Sequence, residues 1–216
     1  MQTPKRIGIL GGAFNPITKG HIHTADYVLE NTDFEEVWLM PCYKSVWGKK
    51  MVAPLMRCDM VGRAISEYFV DSADFNVRLF PYEVSLKLSG TTKEILTQLF
   101  IDCPKELYDF SFIIGMDHAN VMDQWANSEE LLKMVKICVV NRKGVTPKEK
   151  KMWFHNSPHI FIDKEPPTRI NVSSTQARKH LNEYYRNNKQ WSPTSDLSML
   201  HASVVEYILS NGLYKE

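Results

Sequence analysis

Gly11-Gly12-Ala13-Phe14-Asn15-Pro16-Ile17-Thr18-Lys19-Gly20-His21 puts two adjacent glycines, a hydroxyl and an imidazole into one short segment. The glycines close an apolar run, Arg6-Ile7-Gly8-Ile9-Leu10, of the buried parallel-strand type. A helical pattern begins at Thr18, with Ile22, Ala25, Val28 and Leu29 on one face. Strand, glycine turn and helix start converge backbone N–H groups on one spot, an arrangement that suits a phosphate. Thr18 and His21 lie three apart, so both can point at the anion the loop holds. An imidazole there can donate to a non-bridging phosphate oxygen and stabilise charge that develops in transfer. The spacing fits neither G-x-G-x-x-G nor the P-loop pattern, which excludes both fingerprints.

A second candidate anion site lies far downstream, in Asn171-Val172-Ser173-Ser174-Thr175-Gln176-Ala177-Arg178. Hydroxyls and free N–H groups at a helix start attract an anion, and Arg178 sits one turn on from Ser174. Taken alone, such a motif is more often an ordinary serine cap with a solvent-facing arginine. Phe112-Ile113-Ile114-Gly115-Met116-Asp117 is a strand ending in a carboxylate, which can hold ribose hydroxyls. Trp125 follows; its ring could stack on a pyridine, although a lone tryptophan is more often core.

Together these segments resemble the HxGH nucleotidyltransferases, and within them the nicotinate or nicotinamide mononucleotide adenylyltransferases. GGAFNPITKGH is similar to the family's signature, with Thr18 in place of the first histidine and His21 as the second. VSSTQAR resembles the family's I-S-S-T-x-x-R, and Gly115-Met116-Asp117 with Trp125 and Glu129-Glu130-Leu131-Leu132 resembles its middle motifs. Ser89-Gly90-Thr91-Thr92 and the basic group Lys44, Lys49, Lys50 are weaker matches. Thr91 departs from the pattern, standing where the family commonly has an aromatic residue, and Trp47 is a candidate to replace that wall.

The resemblance implies adenylyl transfer from ATP to nicotinate or nicotinamide mononucleotide, giving deamido-NAD or NAD and pyrophosphate. It implies catalytic roles for His21, Thr18 and Arg178. It implies ATP binding by Gly12, Ala13, Phe14, His21, Gly115, Asp117, Ser174, Thr175 and Arg178. It implies mononucleotide binding by Asn15, Lys49, Thr92 and Trp125. Mg²⁺ is expected to arrive with ATP rather than in a protein-built site. Phosphopantetheine adenylyltransferases and cytidylyltransferases share the first motif and are the nearest alternatives. A non-catalytic nucleotide sensor is the alternative from another class.

These residues need a scaffold, and the rest of the chain supplies its pattern. Apolar runs at Val37–Met40, Phe75–Leu79, Phe110–Ile114, Ile137–Val140 and His159–Ile162 alternate with helical segments. The helical segments open at Pro54 (with Leu55, Met56, Met60, Ala64 and Ile65), at the capping box Thr91-Thr92-Lys93-Glu94, at Ser173 and at about Ser203. Alternation predicts an α/β fold, a Rossmann-like doubly wound parallel sheet with a small C-terminal helical extension over roughly 173–216. One nucleotidyltransferase domain spans 1–216, a usual size. From Asn141 to Pro158 the chain is polar and basic and reads as a solvated segment.

A formal net charge of +1 argues against a nucleic-acid partner. No apolar run reaches membrane-span length, and the N-terminus lacks a signal-peptide core. Cys42, Cys58, Cys103 and Cys138 have no zinc spacing and are expected as reduced thiols. A cytoplasmic protein is therefore expected, with a homo-oligomer compatible with the sequence.

Overall fold

The computed structural model describes residues 3–46, 48–72, 75–142, 144–148, 152–164, 172–187 and 197–215. Trp47, Asn171 and the run 149–151 lie outside the described residues. Among the described residues there are six parallel strands: β1 (Lys5–Gly12), β2 (Glu36–Pro41), β3 (Val77–Leu79), β4 (Tyr108–Gly115), β5 (Lys136–Val140) and β6 (Ile160–Ile162). Their order is β3-β2-β1-β4-β5-β6. Strand order reverses between β1 and β4, and the crevice beyond the carboxyl ends of those strands is where such sheets bind ligands.

Helices α1 (Lys19–Asn31), α2 (Pro54–Tyr68), α3 (Tyr82–Ser85), α4 (Thr92–Asp102), α5 (Met116–Ala119), α6 (Ser128–Met134), α7 (Ser174–Arg186) and α8 (Ala202–Ser210) cover both sheet faces. The period-2 alternation of the strands explains why. Phe110, Phe112 and Ile114 of β4, with Ile137 and Val139 of β5, join Leu96, Leu99 and Leu131 in one apolar cluster. Their neighbours Ile113, Cys138 and Val140 point the other way. They meet Ile22, Ala25 and Val28 of α1, Met60 and Ala64 of α2, Leu181 of α7 and Val204 and Ile208 of α8. The C-terminal helices thus share their core with α1 and α2.

Three sequence expectations shift. β1 continues through Gly11 and Gly12, which pair with Met40 and Pro41 of β2, so the turn begins at Ala13. A Cβ on Gly11 would come 3.0 Å from the Phe112 ring, and one on Gly12 3.1 Å from the Phe14 ring. The glycines therefore make room for aromatic rings inside a strand. Leu55 is 71% exposed, and Arg57 takes the buried position on α2. β3 starts at Val77 rather than Phe75, because this edge strand pairs only with Val37–Leu39. All four cysteines are free.

Candidate active site

The segment leaving β1 turns sharply at Phe14, a non-glycine residue at φ +44°. That conformation is costly for a large side chain and marks a backbone held by its surroundings. The Phe14 ring is buried and meets the His21 ring edge-on at 5.2 Å. Thr18 caps α1, and His21 is its N3 residue. The two form a capping box in which an imidazole replaces the usual carboxamide or carboxylate. The Thr18 N–H donates to His21 Nδ1 at 3.0 Å, and Thr18 Oγ1 lies 2.8 Å from the same nitrogen. Nδ1 is therefore an acceptor, and the proton sits on Nε2, free to be donated to a ligand. Thr18 is 1% exposed and stands behind the histidine, fixing its tautomer and direction rather than facing outward beside it.

Burial, and then the nearby Arg142 charge, push the His21 pKa down from 6.5 to about 4. The ring is neutral at physiological pH. Glu83, buried beneath the second loop, is pushed up from 4.5 to about 7 by burial. The two shifts act on stability with opposite signs. From pH 6.5 down to 4 the unfolded chain takes a proton at His21 that the folded chain refuses, so stability falls as pH falls. At Glu83 the folded chain keeps a proton that the unfolded chain releases above 4.5, so stability falls as pH rises towards 7. Comparing urea midpoints at pH 7.5 and 5, His21→Gln should lose less in acid than the parent and Glu83→Gln more. Equal losses in all three would contradict both assignments.

α7 is bolted to the same loop. Ser173 caps it through a box with Gln176. Ser174 Oγ donates to the Pro16 carbonyl at 2.8 Å. Arg178 donates to the Asn15 carbonyl at 2.7 Å and to Thr175 Oγ1 at 3.2 Å. The two motifs, far apart in sequence, thus share one edge of the crevice. Asn15 is buried, and its Oδ1 accepts from the Val52 N–H at 3.1 Å and from the Tyr214 hydroxyl at 2.9 Å. Ala13 is exposed at the turn.

Arg57 was not singled out by the sequence reading. It is 0% exposed. Nη1 donates to the Ala13 carbonyl at 2.7 Å, Nη2 to Cys42 at 2.6 Å and Tyr43 at 3.2 Å, and Nε to Val52 at 3.0 Å. One guanidinium thus ties the loop after β1 to the loop after β2. The Tyr43 N–H donates to Glu83 at 3.2 Å, anchoring the second loop from its other side. That loop carries Lys44, Lys49 and Lys50, all exposed, and Lys44 and Lys49 line a depression of about 370 Å³. A signal for Arg57 did exist: it shares the face of Val61 and Ala64, both buried.

On the far side of the switch point, Gly115 ends β4 and Asp117 lies in α5. Asp117 leans back over Gly115, where a Cβ would sit 2.6 Å from its Oδ1. Oδ2 accepts from Arg142 at 3.0 Å, while Oδ1 is buried without a partner. Trp125 is half-buried, edge-on to Phe112 at 6.5 Å and to His118 at 5.8 Å. Thr92 opens α4 behind the Thr91–Glu94 capping box. Trp125 and Thr92 therefore belong to the face of the sheet opposite α1 and α7. Among the described residues, no group of three or more His, Cys, Asp or Glu side chains could hold a metal ion. No described helix is long and apolar enough to cross a membrane.

The pattern of the cytidylyltransferase-like family matches residues 9–180, from β1 through the first turns of α7. The chain belongs to this family. The nucleotidyltransferase is 31% identical to the probable nicotinate-nucleotide adenylyltransferase of Clostridium acetobutylicum over 83% of its own length and 88% of the relative's. It is 27% identical to that of Flavobacterium psychrophilum over 98% of its own length and all of the relative's. It thereby falls in the nicotinate-nucleotide adenylyltransferase branch. Its fold matches Plasmodium falciparum nicotinic acid mononucleotide adenylyltransferase, solved in complex with NaAD, with a TM-score of 0.77, 23% identity and 97% of each chain covered.

Proposed function

We propose that this nucleotidyltransferase joins ATP and nicotinate mononucleotide to give deamido-NAD and pyrophosphate. The observation that carries the reading is the docking of α7 on the first loop through Ser174–Pro16 and Arg178–Asn15. It sets an imidazole donor and a guanidinium along one edge, as a polyphosphate requires. The names of the relatives in its branch support nicotinate as the acceptor base.

In the proposed reaction an oxygen of the mononucleotide 5′-phosphate attacks the α-phosphorus of ATP in line. The new P–O bond forms as the bond to the β-phosphate breaks, and pyrophosphate leaves with the electron pair. The nucleophile is already an anion, so no general base is needed; positioning and charge stabilisation suffice. His21 Nε2–H and Arg178 meet the phosphates, with the turn Gly12-Ala13-Phe14 beneath them and Ser174 and Thr175 at the α7 start. The unpartnered Oδ1 of Asp117 suits a ribose hydroxyl over Gly115. Trp125, Thr92 and Lys49 face the mononucleotide, and Asn15 holds the wall between the two substrates. Mg²⁺ would enter as part of the ATP substrate and offset the charge of its phosphates. The chain works as one domain, supported by the core that α7 and α8 share with α1 and α2.

The test is pyrophosphate release from ATP with nicotinate mononucleotide, nicotinamide mononucleotide, phosphopantetheine and a polyol phosphate in turn. The highest kcat/KM is expected with nicotinate mononucleotide. A higher value with either non-pyridine acceptor, or no release with any, would overturn the reading.

A further inference from the structure

We propose that Arg142 is a further cation for the ATP polyphosphate, stored on Asp117 until the nucleotide arrives. The inference rests on the reading that this crevice takes ATP. Gly115 of β4 pairs with Val140 of β5. Asp117 and Arg142 each lie two residues beyond that pair, side by side at the carboxyl edge of the sheet. Their contact is 3.0 Å, with side chains 39% and 43% exposed. A pair this wet is weakly held, so its partners exchange readily. Asp117 is also incompletely served, because Oδ1 is buried without a partner. A ribose diol supplies two donors to that carboxylate, where Arg142 now reaches only Oδ2.

Arg142 released from Asp117 has an acceptor nearby. Arg142 lies two residues past the end of β5 and His21 in the first turn of the helix that follows β1, so both stand at the carboxyl edge of the sheet, and the Arg142 charge is felt at the imidazole. A planar guanidinium fork suits phosphate oxygens, and its charge complements the neutral imidazole. Nucleotide binding is then an exchange: ribose hydroxyls take Asp117, and Arg142 turns to the phosphates.

Calorimetric titration of the full chain with ATP and with adenosine separates this role from simple support of Asp117. Arg142→Ala should weaken ATP roughly ten- to a hundredfold and leave adenosine within twofold or tighter. Arg142→Lys should recover part of the ATP affinity. Equal weakening of ATP and adenosine would mean that Arg142 only holds Asp117, and unchanged ATP affinity would mean no phosphate contact; either overturns the proposal. The thermal midpoint of Arg142→Ala should match the parent's, since the ion pair is exposed. Binding is read without turnover, so a chain that releases no pyrophosphate would sink the proposed function while this comparison still decides the role of Arg142.

Discussion

His21→Ala is expected to lower kcat about 10²- to 10³-fold, the usual effect of removing one preorganised donor from a developing charge. KM for ATP should change far less, because the donor acts most strongly where charge develops. The fold should persist at a cost of about 1 kcal/mol, the worth of one helix cap. Two further substitutions separate donor from cap. Gln at this position completes an ordinary T-x-x-Q box, its oxygen accepting the Thr18 N–H while its NH₂ points outward. His21→Gln should therefore restore stability and part of the turnover. His21→Glu completes the box equally well but presents a carboxylate to the phosphates, so it should be stable and inactive. An active His21→Glu variant would mean that position 21 serves only as a cap.

Arg57→Met should show the second large effect. It removes the donor to four carbonyls in a site with no water-exposed surface on the arginine. Stranding buried acceptors costs about 1–3 kcal/mol each, so a loss of at least about 3 kcal/mol is expected, read as a lower urea midpoint. Turnover should fall with it, and kcat/KM should drop for both substrates, since one side chain holds both loops. Arg57→Lys keeps the charge but gives up the rigid fork, and should recover only part of each. A midpoint equal to the parent's would contradict the clamp.

Much of this scaffold was legible because it is local. The strands and main helices follow from periodicity, the capping box at Thr91–Glu94 follows from residue types three apart, and the serine cap at Ser173 follows from its hydroxyl at a helix start. Gly11-Gly12 misled in one respect: glycine invites a turn, but parallel pairing to β2 is indifferent to side chains and carries the strand onward. The rings of Phe112 and Phe14 that need those glycines could not be placed without the fold. Thr18 and His21 were rightly assigned to one helix turn. That they bond each other depends on the extended backbone at Thr18 (φ −122°, ψ 163°), which residue types do not encode. Arg57 was hidden for a different reason. Its partners are carbonyls, which every residue has, drawn from three separate places in the chain. The Ser174–Pro16 and Arg178–Asn15 bonds are likewise contacts to backbone across most of the sequence.

In the proposed reaction the site transfers an adenylyl group by holding two anions in line, with no enzyme nucleophile. ATP made chiral at the α-phosphorus by a thio substitution tests it directly, with nicotinate mononucleotide as acceptor. One displacement predicts a dinucleotide of inverted configuration, formed with one pyrophosphate per product. Retention of configuration, or pyrophosphate released with an adenylylated chain before the acceptor is added, would contradict it.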